Sequence, residues 1–390
     1  MISMRLTYIA WGYIYDEAII RAFKAEGFQI EEIDFLQNID FVNDTEKEWD
    51  IPKSNSEEEA RRIVETKLID CSADIVFSIN FNAVISEFCQ QKEIPYCCWV
   101  LELPNFDLYT KAVFNPCNYI AICDSYLVER MWQLGVQKAY FLPDAVELGE
   151  KVSDEKFERE FCFIAKYPVS VFNTDKMTLY AKGYLDSFIH AQRVLYGANV
   201  LENGLINRVY QEFKNGNSIP KQIIPQMEKL FIADKYLAPM CTGIQQNIFM
   251  KNNENIMTIY SDSEFKMCNT KKYSYVSEEK ERRKIYAGKE FSLILAPHVL
   301  HNGIPRDMLE VIAAGGFPIC AYQKDYGYFF ERDENIAYFT NAAEFSQVIV
   351  KYGNNHEERA RVKENAYNMV ATYHTYRNRI VSMVEMWGKL

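Results

Sequence analysis

Residues 296–317 read Ala-Pro-His-Val-Leu-His-Asn-Gly-Ile-Pro-Arg-Asp-Met-Leu-Glu-Val-Ile-Ala-Ala-Gly-Gly-Phe and hold the densest chemical signal in the chain. An apolar run ends, a glycine-containing loop turns, and a helix opens with Pro305 near its first turn, where a missing N–H costs little. The amides of Gly303, Ile304, Arg306 and Asp307 would then stand unpaired at a helix N-terminus, with Asn302 just ahead of them. Such an array suits a diphosphate, and the Arg306 guanidinium adds a cation. Glu310, about one turn further in, is placed to reach two adjacent hydroxyls of a ribose. The alternative is an ordinary strand–helix–strand unit whose helix ends at Gly315-Gly316.

Other candidates sit where apolar runs end. Lys166 follows the run beginning at Glu160, where a cation would meet phosphate or simply face solvent. Tyr260 precedes Ser-Asp after another run, a place for a base or ribose. His298 ends the run that feeds the Gly303 loop and faces sugar or phosphate, or is a structural histidine; His301, nearer the loop apex, reads as solvated. Gly12 and Tyr13 follow the first run, where a glycine lets the chain approach a ligand closely. Asn80 and Glu102 also end apolar runs. A carboxylate such as Glu102 is suited to act as general base on an acceptor hydroxyl, or else caps a helix.

These residues need a scaffold that brings strand ends together. In the first part, strands are predicted at Arg5–Trp11, Phe28–Phe35, Ile75–Ile79, Tyr96–Leu101, Tyr119–Cys123 and Ala139–Leu142. Helices are predicted between them at Asp16–Ala25, Ser56–Asp70, Ala83–Lys92 and Ser125–Leu134, with Asn38–Glu58 as an acidic insertion. Parallel strands need long crossovers, so this alternation predicts a parallel sheet covered on both faces. After a linker at 145–156 the pattern recurs. It has strands at Glu160–Ala165, Ile256–Tyr260, Ser292–Leu295 and Phe317–Ala321, and helices at Thr174–Val200, Pro305–Ala314 and Ala342–Tyr352. One long helix is predicted from about Glu357 to Trp387.

The 390 residues suit two domains, and 48% apolar with 25% charged residues is globular composition. A net charge of −11 argues against a nucleic-acid surface. The start of the chain reads as a strand rather than an export signal, and no run of ~18 apolar residues marks a membrane span. The ten cysteines lie scattered in apolar runs with no Cys-x-x-Cys pair, as expected of reduced thiols in a cytoplasmic protein. No Asp-x-Asp or His-Glu-x-x-His triplet or quintet points to a bound metal.

The segment Gly-Ile-Pro-x-x-x-Leu-Glu-x-x-Ala-x-Gly-Gly-Phe resembles the donor-binding segment of GT-B glycosyltransferases, with a C-terminal domain of the glycosyl transferases group 1 type. More narrowly, the chain is similar to the bacterial spore-maturation (CgeB-type) glycosyltransferase-like group. Lys182-Gly-Tyr-Leu-Asp-Ser-Phe-Ile-His-Ala-Gln, Tyr196-Gly-Ala-Asn, His374-Thr-Tyr-Arg-Asn-Arg, Asp74-Ile-Val-Phe-Ser-Ile-Asn-Phe-Asn and Pro95-Tyr-Cys-Cys-Trp-Val-Leu-Glu-Leu-Pro carry that likeness. The resemblance implies an α/β GT-B fold, two Rossmann-like domains facing across a cleft. An acceptor domain would span 1–150, a nucleotide-sugar donor domain 157–372, and a helix at 373–390 would pack back across the hinge. It implies a metal-independent transferase without cofactor, using a nucleotide-sugar donor, foremost a UDP-sugar. The acceptor would be a glycan, protein or small molecule. Glu310 matches the ribose-binding carboxylate and 303–307 the diphosphate site. Asn302 stands where many retaining members carry a second glutamate, and Glu102-Leu103-Pro104 where the family usually has Asp, a small residue and Pro. A nucleotide-sugar epimerase and a catalytically silent nucleotide- or sugar-binding subunit remain as alternatives.

Overall fold

The computed structural model describes residues 4–35, 57–68, 73–149, 158–168, 175–262 and 271–388. Nearly all of the acidic insertion, much of the 145–156 linker, Cys71 and Cys268 lie outside them. The chain divides into two compact units, one of residues 1–123, 127–142 and 376–390, the other of residues 124–126 and 143–375.

The first unit holds β1 (Arg5–Ala10), β2 (Gln29–Asp34), β3 (Ile75–Ile79), β4 (Tyr96–Val100), β5 (Asn118–Ile122) and β6 (Ala139–Phe141). They form one sheet in the order β2-β1-β3-β4-β5-β6, every pair parallel. β3 (Ile-Val-Phe-Ser-Ile) and β4 (Tyr-Cys-Cys-Trp-Val) are buried at every position, as strands covered on both faces must be. β2, at the edge, carries Glu31, Glu32 and Asp34 and discourages further pairing. The crossovers are α1 (Asp16–Ala25), α2 (Glu57–Leu68), α3 (Ala83–Lys92) and α4 (Ser125–Gln133). Strand order reverses between β1 and β3, and such a switch point opens a crevice beyond the strands' carboxyl ends.

The second unit follows the same logic. Its strands are β7 (Glu158–Ile164), β8 (Met257–Ser261), β9 (Lys271–Ser274), β10 (Lys289–Ile294), β11 (Pro318–Ala321) and β12 (Ala337–Phe339), in the order β12-β11-β10-β7-β8-β9. The helices are α5 (Leu179–Gln192), α6 (Asn207–Gly216), α7 (Glu228–Ile232), α8 (Ala238–Asn252), α9 (Glu279–Gly288), α10 (Arg306–Ala313), α11 (Ala342–Asn354) and α12 (His356–Tyr373). The reversal here lies between β7 and β10. Phe161, Phe163, Ile259, Phe291, Leu293 and Ile319 form the core on one face of the sheet; Cys162, Ile294, Met308, Val311 and Cys320 form it on the other.

Two helical expectations are corrected. The helix at Thr174–Val200 contracts to α5, whose N-terminus is set by Thr178 Oγ1 accepting from the Ala181 amide at 3.3 Å. Gly197 adopts a left-handed φ of 71°, with the Tyr322 ring where a Cβ would stand. The single terminal helix is two: α12 ends at Tyr373 and α13 (Tyr376–Trp387) begins after His374-Thr375. α13 belongs to the first unit and packs on α1, where Trp387 stacks on Phe23 at 5.9 Å and meets Phe28 and Phe77 edge-on or tilted.

Candidate functional site

At the second unit's switch point, Lys166 follows β7 and the loop of residues 295–305 leaves β10 for α10. Of the four amides expected to be open, those of Gly303, Ile304, Arg306 and Asp307, the structure corrects one, Gly303, and it engages the neighbouring Asn302 amide as well. The Asp124 carboxylate accepts from Asn302 N at 2.9 Å and Gly303 N at 3.1 Å through one oxygen, Oδ2. Its Oδ1 accepts from Tyr126 N at 2.9 Å. The Asn302 side chain donates to Ser125 Oγ at 3.0 Å, and Ser125 in turn binds Asp325, whose carboxyl burial pushes up to about 6. Ile304 is buried against the core, and Pro305 is the N-cap of α10 without a side-chain cap.

Glu310 is 1% exposed and engaged at both oxygens. Arg282 on α9 grips it in a fork, Nε to Oε2 at 2.9 Å and Nη2 to Oε1 at 2.8 Å, and Arg306 Nε donates to Oε1 at 3.1 Å. Burial alone would lower the Arg282 pKa, and pairing with Glu310 more than offsets that, so it rises. Arg306 is therefore not an open cation: it also meets Asp144 at 3.4 Å and Glu279 at 3.7 Å. Asp307 reaches solvent, yet desolvation by the surrounding protein, with the Glu310 charge beside it, pushes its carboxyl up to about 7.

An aromatic group flanks these charges. Tyr260 stacks on Tyr273 at 5.1 Å, and Tyr273 is exposed. Lys166 is exposed, its ammonium 5.4 Å from the centre of the Tyr275 ring. The Tyr275 hydroxyl, raised in pKa by burial, feels the charges of Arg282, Asp307, Glu310 and Asp262. Lys166, Tyr260, Arg306, Asp307 and Glu310 thus lie at the ends of β7 and β8 and on the helix that follows β10, at the carboxyl end of the sheet. Tyr275 and Arg282 were not singled out from sequence.

His298 and His301 lie on the same loop. His298 donates its amide to Thr242 Oγ1 at 2.9 Å; burial, then His301, pushes its imidazole down to about 4, so the ring is neutral near pH 7. His301 is not solvated but 4% exposed, stacked on Tyr126 at 4.5 Å. Asn199 fixes its tautomer. The Asn199 amide donates to His298 O and accepts from Leu201 N, so its Nδ2 must also donate to His301 Nδ1 at 2.7 Å. The His301 proton then sits on Nε2, 3.0 Å from Asp234.

In the first unit the structure brings Tyr13, Asn80 and Glu102 together at the β1/β3 switch point. Gly12 takes a left-handed φ of 75° between β1 and α1, and Asn80 one of 59° after β3. Asn80 Oδ1 accepts from the amides of Leu101 and Glu102, both at 3.0 Å, and its Nδ2 donates to Tyr13 Oη at 3.0 Å and Glu102 Oε2 at 3.3 Å. Tyr15, missed in the sequence reading, donates to Glu102 Oε1 at 3.1 Å and stacks on Tyr13 at 5.3 Å. Burial and the Glu102 charge push the Tyr13 hydroxyl up, so it stays protonated.

Asp107, in the turn following Pro104, accepts from Ala83 N at 2.9 Å, and desolvation pushes its carboxyl up to about 6. A raised folded-state pKa means the folded state holds the proton more tightly, so this group's contribution to stability falls as pH rises from about 4 to about 6. Asp107→Asn removes that dependence. Urea unfolding should show the variant gaining on the wild type across this window, whereas a constant difference would refute the shift.

Residues 249–385 match the family described as glycosyl transferase-like. No curated protein matches the chain. Among solved structures, the Anabaena Alr3699/HepE protein in complex with UDP is 11% identical, covering 99% of this chain and 100% of that one with a TM-score of 0.52. Sucrose-phosphate synthase from Thermosynechococcus elongatus is 8% identical, covering 99% and 98% with a TM-score of 0.53. A glycosyltransferase from Rickettsia africae is 10% identical, covering 99% and 98% with a TM-score of 0.50. The chain has the GT-B fold, and the segment similar to the glycosyl transferase-like family lies in its carboxyl-terminal part. No helix among the described residues is long and apolar enough to cross a membrane.

Proposed function

We propose that the protein transfers a sugar from a nucleoside diphosphate, foremost a UDP-sugar, to an acceptor hydroxyl or other nucleophile on a glycan, protein or small molecule. The observation that carries this reading is the grouping of Lys166, Tyr260, Tyr275, the start of α10 and Glu310 at the carboxyl ends of β7, β8 and β10. Stacked tyrosines suit a base and Glu310 the ribose; Lys166 and the amides of α10 suit the diphosphate, joined by Arg306 once it turns from the carboxylates that hold it. In this reading fixed dipoles and basic side chains, rather than a divalent ion, meet the charge of the leaving diphosphate. Glu102, held by Asn80 and Tyr15, is the base of an inverting transfer in the first unit. The spore-maturation (CgeB-type) subgroup belongs to the same proposal, as does a cytoplasmic setting, which the reduced state of the eight described cysteines suits.

Asp124 on the loop amides favours a second reading, a subunit that binds nucleotide without turnover. A thermal-shift panel of UDP, GDP, ADP and dTDP tests the first step. Ligand at about 100 times its Kd stabilises the folded state by about 2.7 kcal/mol, so one diphosphate should raise the Tm by several degrees. If none does, the nucleotide reading falls. If UDP protects while no UDP-sugar is consumed with any acceptor, the second reading stands.

A further inference from the structure

We propose that Arg282 is a positioning residue for nucleotide recognition: it aims the Glu310 carboxylate at the ribose hydroxyls. This rests on the donor-site reading above and adds a residue to it. The guanidinium is a planar fork, and here three of its nitrogens are committed. Nε and Nη2 hold the two oxygens of Glu310, while Nη1 donates to the carbonyl of Ser277 at 2.6 Å. The carboxylate on α10 is thereby locked to the segment between β9 and α9, where Tyr275 stands.

Arg306 has a different share in the pair. Its side chain is 18% exposed against 8% for Arg282, it gives Glu310 one hydrogen bond, and it divides its charge with Asp144 and Glu279. A carboxylate accepts at about four lone-pair positions, and the two arginines fill three of them, two on Oε1 and one on Oε2. Two ribose hydroxyls fit if Arg306 yields its position and one takes the open place on Oε2. Arg282 keeps the plane of the carboxylate fixed during that exchange. Lysine at 282 retains the buried charge but not the fork, so it removes orientation selectively.

The test is the ratio of two affinities, for UDP and for 2′-deoxy-UDP, measured by calorimetry on wild type, Arg282→Lys and Arg306→Ala, with Tm and circular dichroism recorded for each. Wild type should prefer UDP by about tenfold, the loss of one charge-assisted hydrogen bond. Arg282→Lys should bind both ligands within about twofold of each other, whereas Arg306→Ala weakens both and keeps the preference. A residue that only stabilised the fold would lower both affinities by one factor and leave the ratio alone. A full preference in Arg282→Lys overturns the inference while the donor site stands. Should that variant not fold, loss of the preference in Arg306→Ala overturns it equally. Wild type that binds both ligands alike removes the ribose role of Glu310 together with the inference, and wild type that binds neither removes the donor-site reading as well.

Discussion

Glu310→Ala is expected to lower the Tm by roughly 10 °C and to abolish any shift produced by UDP. The first effect follows from the bonding of Arg282, whose side chain is 8% exposed and whose fork closes on this carboxylate. Removing one partner of a buried pair strands the other charge, at a cost of about 3–5 kcal/mol. In a unit of this size each kcal/mol moves the Tm by about 2–4 °C. The second effect follows from the loss of the ribose acceptor. Glu310→Gln separates the two, because it keeps volume and one acceptor while discarding the charge; it should unfold at a temperature between the others and still lose most UDP protection. Scanning calorimetry with and without saturating UDP provides both numbers. Undiminished protection in Glu310→Ala would take the carboxylate out of the nucleotide site.

Glu102→Gln is expected to reduce turnover at least a hundredfold with UDP affinity unchanged. General-base catalysis contributes about 10²–10⁴-fold. The side chain is held for that task by Tyr15 on one oxygen and Asn80 on the other. Glutamine preserves shape and one of those contacts, and it cannot accept a proton. Release of UDP from a UDP-sugar, followed with glycans or water as acceptor, reports the loss. Turnover near that of the wild type would eliminate Glu102 as the base and point to a retaining reaction.

What could be read from the sequence follows the range of the forces involved. Ile75–Ile79 and Ala83–Lys92 are bounded to the residue from local signals: the first is an apolar run interrupted by Ser78 alone, and the second opens behind Asn82, whose side chain accepts from the Val84 and Ile85 amides. β9, Lys-Lys-Tyr-Ser at a sheet edge, and the three-residue β12 carry no such pattern and were missed. So was α9, whose Glu-Lys-Glu-Arg-Arg-Lys run masks the inward face that holds Arg282 and Tyr286. The break at His374-Thr375 has neither proline nor glycine to announce it. Within the site, individual candidates such as Asn80 and Glu102 stood out as strand ends. Their partners did not, since Arg282 lies 28 positions from Glu310 and Asp124 lies 178 from Asn302. His301 looked like a loop-apex residue, and a π-helical turn at Ala233–Leu237 supplies the Asp234 that buries it.

The position of α13 has a consequence for how the protein can be divided. Phe23, Phe28 and Phe77 come from the early chain, yet the indole that shields them is Trp387. Translation must therefore proceed 364 residues beyond Phe23, to Trp387, before this sheet acquires that cover. No single cut between the two units releases that sheet intact, so dissecting the protein calls for a permuted or spliced chain in which α13 travels with β1–β6.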